Sequence, residues 1–283
     1  MTKIALLGAG GKMGVRLASN LKGSPFDVCH VEASEAARKR LKDETGISCV
    51  DLDSALESAD VIVLAVPDRL IGEITRSIID RLRPGAAVIA LDAAAPHCGQ
   101  MPKRQDVTYF ITHPCHPSIF GGETSPEAQQ DYFGGVAAKQ AIVCCLMQGP
   151  EEHYALCEEI ARTIFKPVNR SHRVTLENMA VLEPALSETV GATLCQALKD
   201  AADEAVRRGV PSEAAFDFLL GHLKIELSII FGFYPGRFSD GAIMAIKAAT
   251  PRIFRDGWLE NVFDPKSIAE STRAIVFPRA EQG

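Results

Sequence analysis

Residues 60–66 (Asp-Val-Ile-Val-Leu-Ala-Val) and 86–91 (Ala-Ala-Val-Ile-Ala-Leu) are apolar at almost every position. A strand with one face in water alternates apolar and polar residues, so unbroken runs of this length mark strands buried on both faces. Further apolar runs fall at 3–7, 27–31 and 107–112, with helically spaced segments at 12–22, 34–44 and 68–82. This alternation predicts an α/β fold with a doubly wound parallel sheet covered by helices. The stretch 113–136 is rich in Pro and Gly and reads as a loop crossing, and 137–146 reads as one further strand. Beyond Pro150 the texture becomes helical, over 150–165, 175–208, 211–231, 239–255 and 265–276. Turn signals such as Arg208-Gly209 and Tyr234-Pro235-Gly236 separate these segments.

The turn after the first strand sharpens the reading. Gly8-Ala9-Gly10-Gly11-Lys12-Met13-Gly14 stands between a strand and a helix. Glycines there let the backbone approach a pyrophosphate, and the helix N-terminus offers it free N–H groups and a positive dipole end. The spacing is one residue longer than GxGxxG, so its context carries the signal. Residues 1–148 are expected to form an N-terminal Rossmann domain binding NAD, and 149–283 an all-α C-terminal domain for substrate and dimerisation. Ala9, Gly10, Gly11, Lys12, Met13 and Gly14 form the expected phosphate turn. Glu32, at the end of the second strand, suits the adenosine ribose diol and repels a 2′-phosphate, which favours NAD over NADP. Ser34 and Arg38 follow it and are the residues that would otherwise serve a phosphate. Pro67 and Asp68 close the 60–66 strand where the nicotinamide ribose passes in many dehydrogenases.

Bulk properties narrow the function class. A formal charge of −6 without any basic block argues against nucleic-acid or anionic-membrane partners. No apolar run reaches the length of a membrane span. The chain opens directly into a strand, so a signal peptide is not expected. Eight cysteines without a CxxC pair fit free thiols in a reducing cytoplasm, with Cys144-Cys145 as buried packing.

The densest polar constellation is Thr112-His113-Pro114-Cys115-His116-Pro117. Two imidazoles held between prolines suit acid–base work or metal ligation, although a plain structural turn would have the same composition. In the helical half, Glu183 and Glu188 flank an apolar Pro184-Ala185-Leu186 stretch. His222 and Glu226 stand at i and i+4 on one helix, where they can relay a proton, chelate a metal or simply pair at the surface. His113, His116, Glu188, His222 and Glu226 are the candidate site residues.

Thr-His-Pro-Cys-His-Pro (112–117), Lys-Gln-Ala-Ile-Val-Cys (139–144), Met-Gln-Gly-Pro-Glu-Glu-His-Tyr (147–154), Leu-Glu-Pro-Ala-Leu-Ser-Glu (182–188) and Gly-His-Leu (221–223) span nearly the whole chain. On these strings the chain resembles the D-apionate oxidoisomerase family, within the 6-phosphogluconate dehydrogenase and ketol-acid reductoisomerase superfamily. The resemblance implies oxidation of a secondary alcohol by NAD, then migration of a hydroxymethyl group to the new ketone, giving 3-oxo-isoapionate. Each hydroxyl proton then needs a base, and the ketone an electrophile; the resemblance makes His113, His222 and Glu226 the catalytic candidates and His116 and Glu188 the candidate ligands of a divalent metal. The reductoisomerases' acidic metal motif places carboxylates at i and i+4, whereas Glu183 and Glu188 are five apart, so a metal-free route with His as acid and base stays open. The competing readings are a simple β-hydroxyacid or sugar-acid dehydrogenase without migration, and a non-catalytic NAD sensor. The long apolar faces of 189–198 and 216–231 lead us to expect a homodimer.

Overall fold

The computed structural model describes residues 1–278. β1 (Lys3–Leu7) passes through the glycine turn into α1 (Lys12–Leu21), followed by β2 (Asp27–Val31), α2 (Glu35–Thr45), α3 (Leu52–Ser58), β3 (Val61–Leu64), α4 (Asp68–Ile78) and β4 (Ala87–Ala90). The chain continues through α5 (Ala94–His97), β5 (Thr108–Pro117), α6 (Pro126–Gln130), β6 (Gln140–Gln148), α7 (His153–Ile164), β7 (Val168–Arg173) and α8 (Leu176–Ala180). The strands form one sheet in the order β2-β1-β3-β4-β5-β6-β7. The chain leaves β1 for β2 on one side and then crosses to β3 on the other. The crevice between the carboxyl ends of β1 and β3 is therefore the switch point where open α/β sheets bind ligands.

Both faces of the sheet are covered, as the apolar runs require. Leu6, Val63, Ile89 and Phe110 pack with Leu17, Leu41 and Ile160 on one side. Ala5, Ile62, Val88 and Tyr109 pack with Ile71, Ile78 and Leu82 on the other. Each fully buried Leu or Ile contributes on the order of 2 kcal/mol to that double core. Burial pushes the Cys157 thiol up to about 12 and that of Cys145 to about 11, so these cysteines are inert packing.

The doubly wound α/β sheet and the helical C-terminal part are as expected, with two details to correct. The sheet is not wholly parallel: β6 runs antiparallel to β5, because the chain returns through the crossing at 118–139 without a full crossover helix. The region after 148 is not wholly helical either, since β7 pairs parallel with β6. Its sequence, Val-Asn-Arg-Ser-His-Arg, carries no apolar run because it is an edge strand with most side chains exposed. Arg173 there stacks on Tyr154, 4.2 Å from the ring centroid, and pairs with Glu151. The chain divides into two compact units, one comprising Met1–Ala180 with the chain from Ala269 onward, the other Val181–Ile268. The boundary expected at 148/149 thus falls inside the first unit, because α7 packs on the sheet and β7 extends it.

His30, on β2, is buried, and among the described residues its Nε2 has no hydrogen-bond partner. Burial holds its pKa below the ordinary 6.5. The unfolded chain therefore binds this proton more readily than the folded one. The resulting contribution to stability is complete above about pH 6.5 and is lost as pH falls through the folded value. Thermal melts across this range are expected to show a fall in Tm on acidification that His30→Leu reduces. An unchanged slope in the variant would contradict the assignment.

The second unit is helical throughout. Val181–Ala192 is wound in π-helical turns and runs into α9 (Thr193–Arg207). It is followed by α10 (Ser212–Ile230), α11 (Asp240–Ile253), α12 (Trp258–Val262) and the start of α13 (Pro265–Val276). Pro184 inside the π-helical segment has no N–H to donate, and Thr189 Oγ1 donates to its carbonyl at 2.6 Å. Phe218, Leu220, Ile230, Phe231, Met244 and Ile253 are all more than 60% exposed, which is unusual for so many large apolar residues on one unit. Among the described residues no helix is long and apolar enough to cross a membrane.

Candidate functional site

At the switch point the glycines are required by contact as well as conformation. Gly8 has φ +78°, and a Cβ on it would lie 2.3 Å from the Ala65 carbonyl oxygen. The loops after β1 and β3 therefore touch at the carboxyl edge. A Cβ on Gly10 would meet Ala37 O at 2.2 Å, and one on Gly14 would meet Gly8 O at 2.0 Å. Gly11 caps α1, so the N–H groups of Lys12, Met13 and Gly14 open the helix without intrahelical partners. Ala9 is fully buried and donates its N–H to Val31 O at 3.1 Å, which anchors the turn to β2. An open, positively polarised cradle of backbone suits the pyrophosphate of a dinucleotide.

Glu32 closes the turn from the β2 side. Its Oε2 accepts from Gly10 N at 3.1 Å and its Oε1 from Ser34 N at 3.0 Å. Ser34 Oγ caps α2 by accepting from Ala37 N, and Arg38 Nε donates to the Glu32 backbone carbonyl. Both neighbours that would otherwise serve a phosphate are thus engaged in holding the loop. Pro67 caps α4 and Asp68 opens its first turn, on the same edge of the sheet.

Thr112–Pro117 is the end of β5 rather than a free turn. The Thr112 hydroxyl, fully buried, donates to Val143 O at 3.0 Å. His113 pairs with Val143 and Pro114 with Ile142, then the register slips before Pro117 meets Gln140. Cys115 and His116 form this bulge, and His116 takes a left-handed backbone at φ +59°. Bulges of this kind re-aim side chains. The rings of His113 and His116 stand edge to face, with centroids 6.0 Å apart. His113 Nδ1 lies 2.8 Å from Pro114 O and His116 Nδ1 lies 2.7 Å from Phe133 O. A carbonyl oxygen only accepts, so each Nδ1 carries the proton and the remaining lone pair of the neutral imidazole sits on Nε2.

Asp92, two residues beyond β4, offers a carboxylate oxygen within 4.8 Å of a His113 ring nitrogen. Its Oδ1 also accepts from Ala94 N at 2.6 Å, at the start of α5. Sequence reasoning passed over this residue. Its signal was position: a carboxylate just past the carboxyl end of a two-faced strand. An imidazole beside a carboxylate can move protons or hold a divalent cation.

The remaining candidates belong to the second unit. Glu183 and Glu188 lie on the π-helical segment, the former half-buried and the latter exposed. His222 and Glu226 both lie on α10, but His222 Nδ1 is bound to Phe218 O at 2.8 Å and its ring stacks on Phe218. Among the described residues no ion pair joins His222 to Glu226.

A glycine-cradled switch point with imidazole and carboxylate on the same sheet edge defines a nicotinamide-dinucleotide oxidoreductase of the Rossmann class. Comparison with known proteins agrees. Residues 1–125 match the acetohydroxy acid isomeroreductase NADPH-binding domain, and 121–276 match the C-terminal region of decarboxylating phosphogluconate dehydrogenase. D-apionate oxidoisomerases of Cupriavidus necator and Rhizobium rhizogenes are each 58% identical to it. The first alignment covers 96% of this chain and 99% of the relative, the second 97% and 100%. A Cupriavidus necator crystal structure described as a semialdehyde dehydrogenase NAD-binding protein, in complex with calcium and NAD, superimposes with a TM-score of 0.96. It is 57% identical, over 97% of this chain and 99% of that one. The chain belongs to the D-apionate oxidoisomerase family.

Proposed function

We propose that the chain is a cytoplasmic, homodimeric NAD-dependent oxidoisomerase that converts D-apionate to 3-oxo-isoapionate. The observation that carries this reading is the glycine cradle sharing a sheet edge with His113 and its neighbouring Asp92 carboxylate. The names of its relatives point to the same substrate. Bound NAD supplies the hydride acceptor. This chain's own residues handle the protons. His113, with its lone pair on Nε2, takes the proton of the secondary hydroxyl, and Asp92 steadies the imidazolium that results. Deprotonation of the tertiary hydroxyl then starts the hydroxymethyl migration.

Glu32 accepts the adenosine ribose hydroxyls, and Pro67 and Asp68 border the nicotinamide ribose. Glu32→Ala removes the acceptor of the Gly10 and Ser34 N–H groups together with the ribose ligand. KM for NAD is expected to rise about tenfold and discrimination against NADP to fall, a loss of roughly 1.4 kcal/mol. Steady-state kinetics with both nucleotides check this; unchanged constants would contradict it.

Asp92 and His113 also form a donor pair of the chemistry that holds a divalent cation, and a close relative was crystallised with calcium. In that second reading the cation supplies Lewis acidity, and His116 is a further candidate ligand. Exhaustive chelation separates the two: full activity without metal supports the acid–base reading, and loss restored by a divalent cation supports the second.

The exposed apolar residues of the second unit support a homodimer, and light scattering is expected to give twice the chain mass of 30.5 kDa. A monomer at working concentration would overturn that part of the reading. Free cysteines throughout support a reducing compartment. The function itself is tested by NADH formation with D-apionate against other branched and linear four- and five-carbon acids.

A further inference from the structure

The crossing between α6 and β6 is fastened by one carboxylate within it and by two side chains of α1. Asp131 Oδ1 accepts from Gly134 N at 3.0 Å. Its Oδ2 accepts from Val136, Ala137 and Ala138 N at 3.0, 2.9 and 3.1 Å. Two side chains of α1 take the outward carbonyls: Arg16 Nη1 donates to Gly134 O at 2.9 Å and Asn20 Nδ2 to Gly135 O at 3.1 Å. Gly134 rests against the buried Gln140 side chain, and a Cβ on it would lie 2.6 Å from Gln140 Oε1.

Within this tip the Phe133 carbonyl is aimed at His116 Nδ1 at 2.7 Å. The Phe133 ring packs against the same imidazole, with centroids 4.7 Å apart, while Arg16 covers the ring at 4.3 Å. His116 itself sits at φ +59°, a conformation that costs a non-glycine residue energy unless its surroundings hold it. A loop held by four N–H groups on one carboxylate is rigid enough to do so. Burial pushes the Asp131 carboxyl up, but the N–H groups of Ala137, Ala138, Val136 and Gly134 outweigh it and hold the group ionised well into acid.

We infer that Asp131 is a positioning residue: by fixing the 131–138 tip it keeps the Phe133 carbonyl on His116 Nδ1, so that His116 stays the Nδ1–H tautomer with Nε2 as its acceptor atom. The same tip is tied to the helix that opens on the pyrophosphate cradle, so the imidazole and the cofactor turn share one rigid support. This inference rests on the reading of 113–116 as part of the reaction centre, but its first readout does not.

The full chain labelled with 15N-histidine is examined by two-bond proton–nitrogen correlation near pH 8.5. His116 is assigned by the signal lost in His116→Gln. The wild type is expected to show the Nδ1–H pattern; an Nε2–H pattern would overturn the inference without any variant. Asp131→Asn turns an amide donor toward backbone donors, and is expected to put His116 into tautomer exchange and lower kcat about tenfold at unchanged NAD affinity. Phe133→Leu removes the ring but keeps the carbonyl, and is expected to retain the tautomer. Equal disturbance by both variants, or none by Asp131→Asn in a folded protein, overturns the inference. If D-apionate is not turned over while the tautomer behaves as described, the functional reading fails and the positioning role stands.

Discussion

Gly14→Ala is expected to weaken NAD binding by at least about 100-fold, roughly 2.7 kcal/mol. The added Cβ would lie 2.0 Å from the Gly8 carbonyl oxygen and 2.8 Å from two Ala9 backbone atoms. No side chain can turn away to make room, so the first turn of α1 must move off the β1 loop. That movement misdirects the N–H groups on which the pyrophosphate depends. Gly23→Ala provides the control. Gly23 has φ +75°, but among the described residues no atom lies within 4 Å of its missing Cβ. It is expected to cost about 1 kcal/mol of stability and leave NAD affinity unchanged. Titration calorimetry with NAD, alongside thermal melts, separates the two. Near-native NAD affinity in Gly14→Ala would show that the dinucleotide does not bind at this turn.

His113→Gln is the second large effect. It removes the Nε2 acceptor beside Asp92 and leaves the carboxylate without its imidazole partner. Turnover is expected to fall by about a thousandfold, within the range of positioned acid–base groups, while NAD affinity stays as in the wild type. Asp92→Asn is expected to follow with a smaller loss, because it weakens the support of the imidazole but keeps the base. Single-turnover and steady-state kinetics on D-apionate give both numbers. A His113→Gln variant with more than about half the native turnover would remove His113 from the chemistry.

The parts of the fold that were legible in the sequence are those governed by local pattern. β3 and β4 sit on four consecutive buried residues each, so their apolar runs named them and their place in the sheet centre. α1 and α4 place apolar residues on one face against that sheet, and the helical period was visible. β7 was missed because an edge strand with most of its side chains in water carries no such run. The antiparallel turn into β6 was missed because strand direction depends on where the crossing loop returns, which no periodicity records.

The candidate site was legible in residue type but not in arrangement. The glycine turn, Glu32 and the two histidines were identifiable from type and spacing. Asp92 was not, since a lone carboxylate after a strand gains meaning only when the β5 end is laid beside it. Asp131 was invisible for the same reason: its four partners are backbone groups, and any sequence supplies those. His222 and Glu226 illustrate the converse. Their i, i+4 spacing promised a pair, yet the ring of His222 is stacked on Phe218 and its Nδ1 is bonded one turn back.

The measurement closest to the central claim follows the carbon skeleton. Purified protein is incubated with 13C-labelled D-apionate and NAD, NADH is followed by absorbance, and the product is read by 13C NMR. The expected result is NADH formed in step with substrate loss and a product with the migrated hydroxymethyl group of 3-oxo-isoapionate. NADH together with an unrearranged 2-keto acid would make the protein a simple dehydrogenase. NAD binding without NADH formation on any branched sugar acid would contradict an enzymatic role.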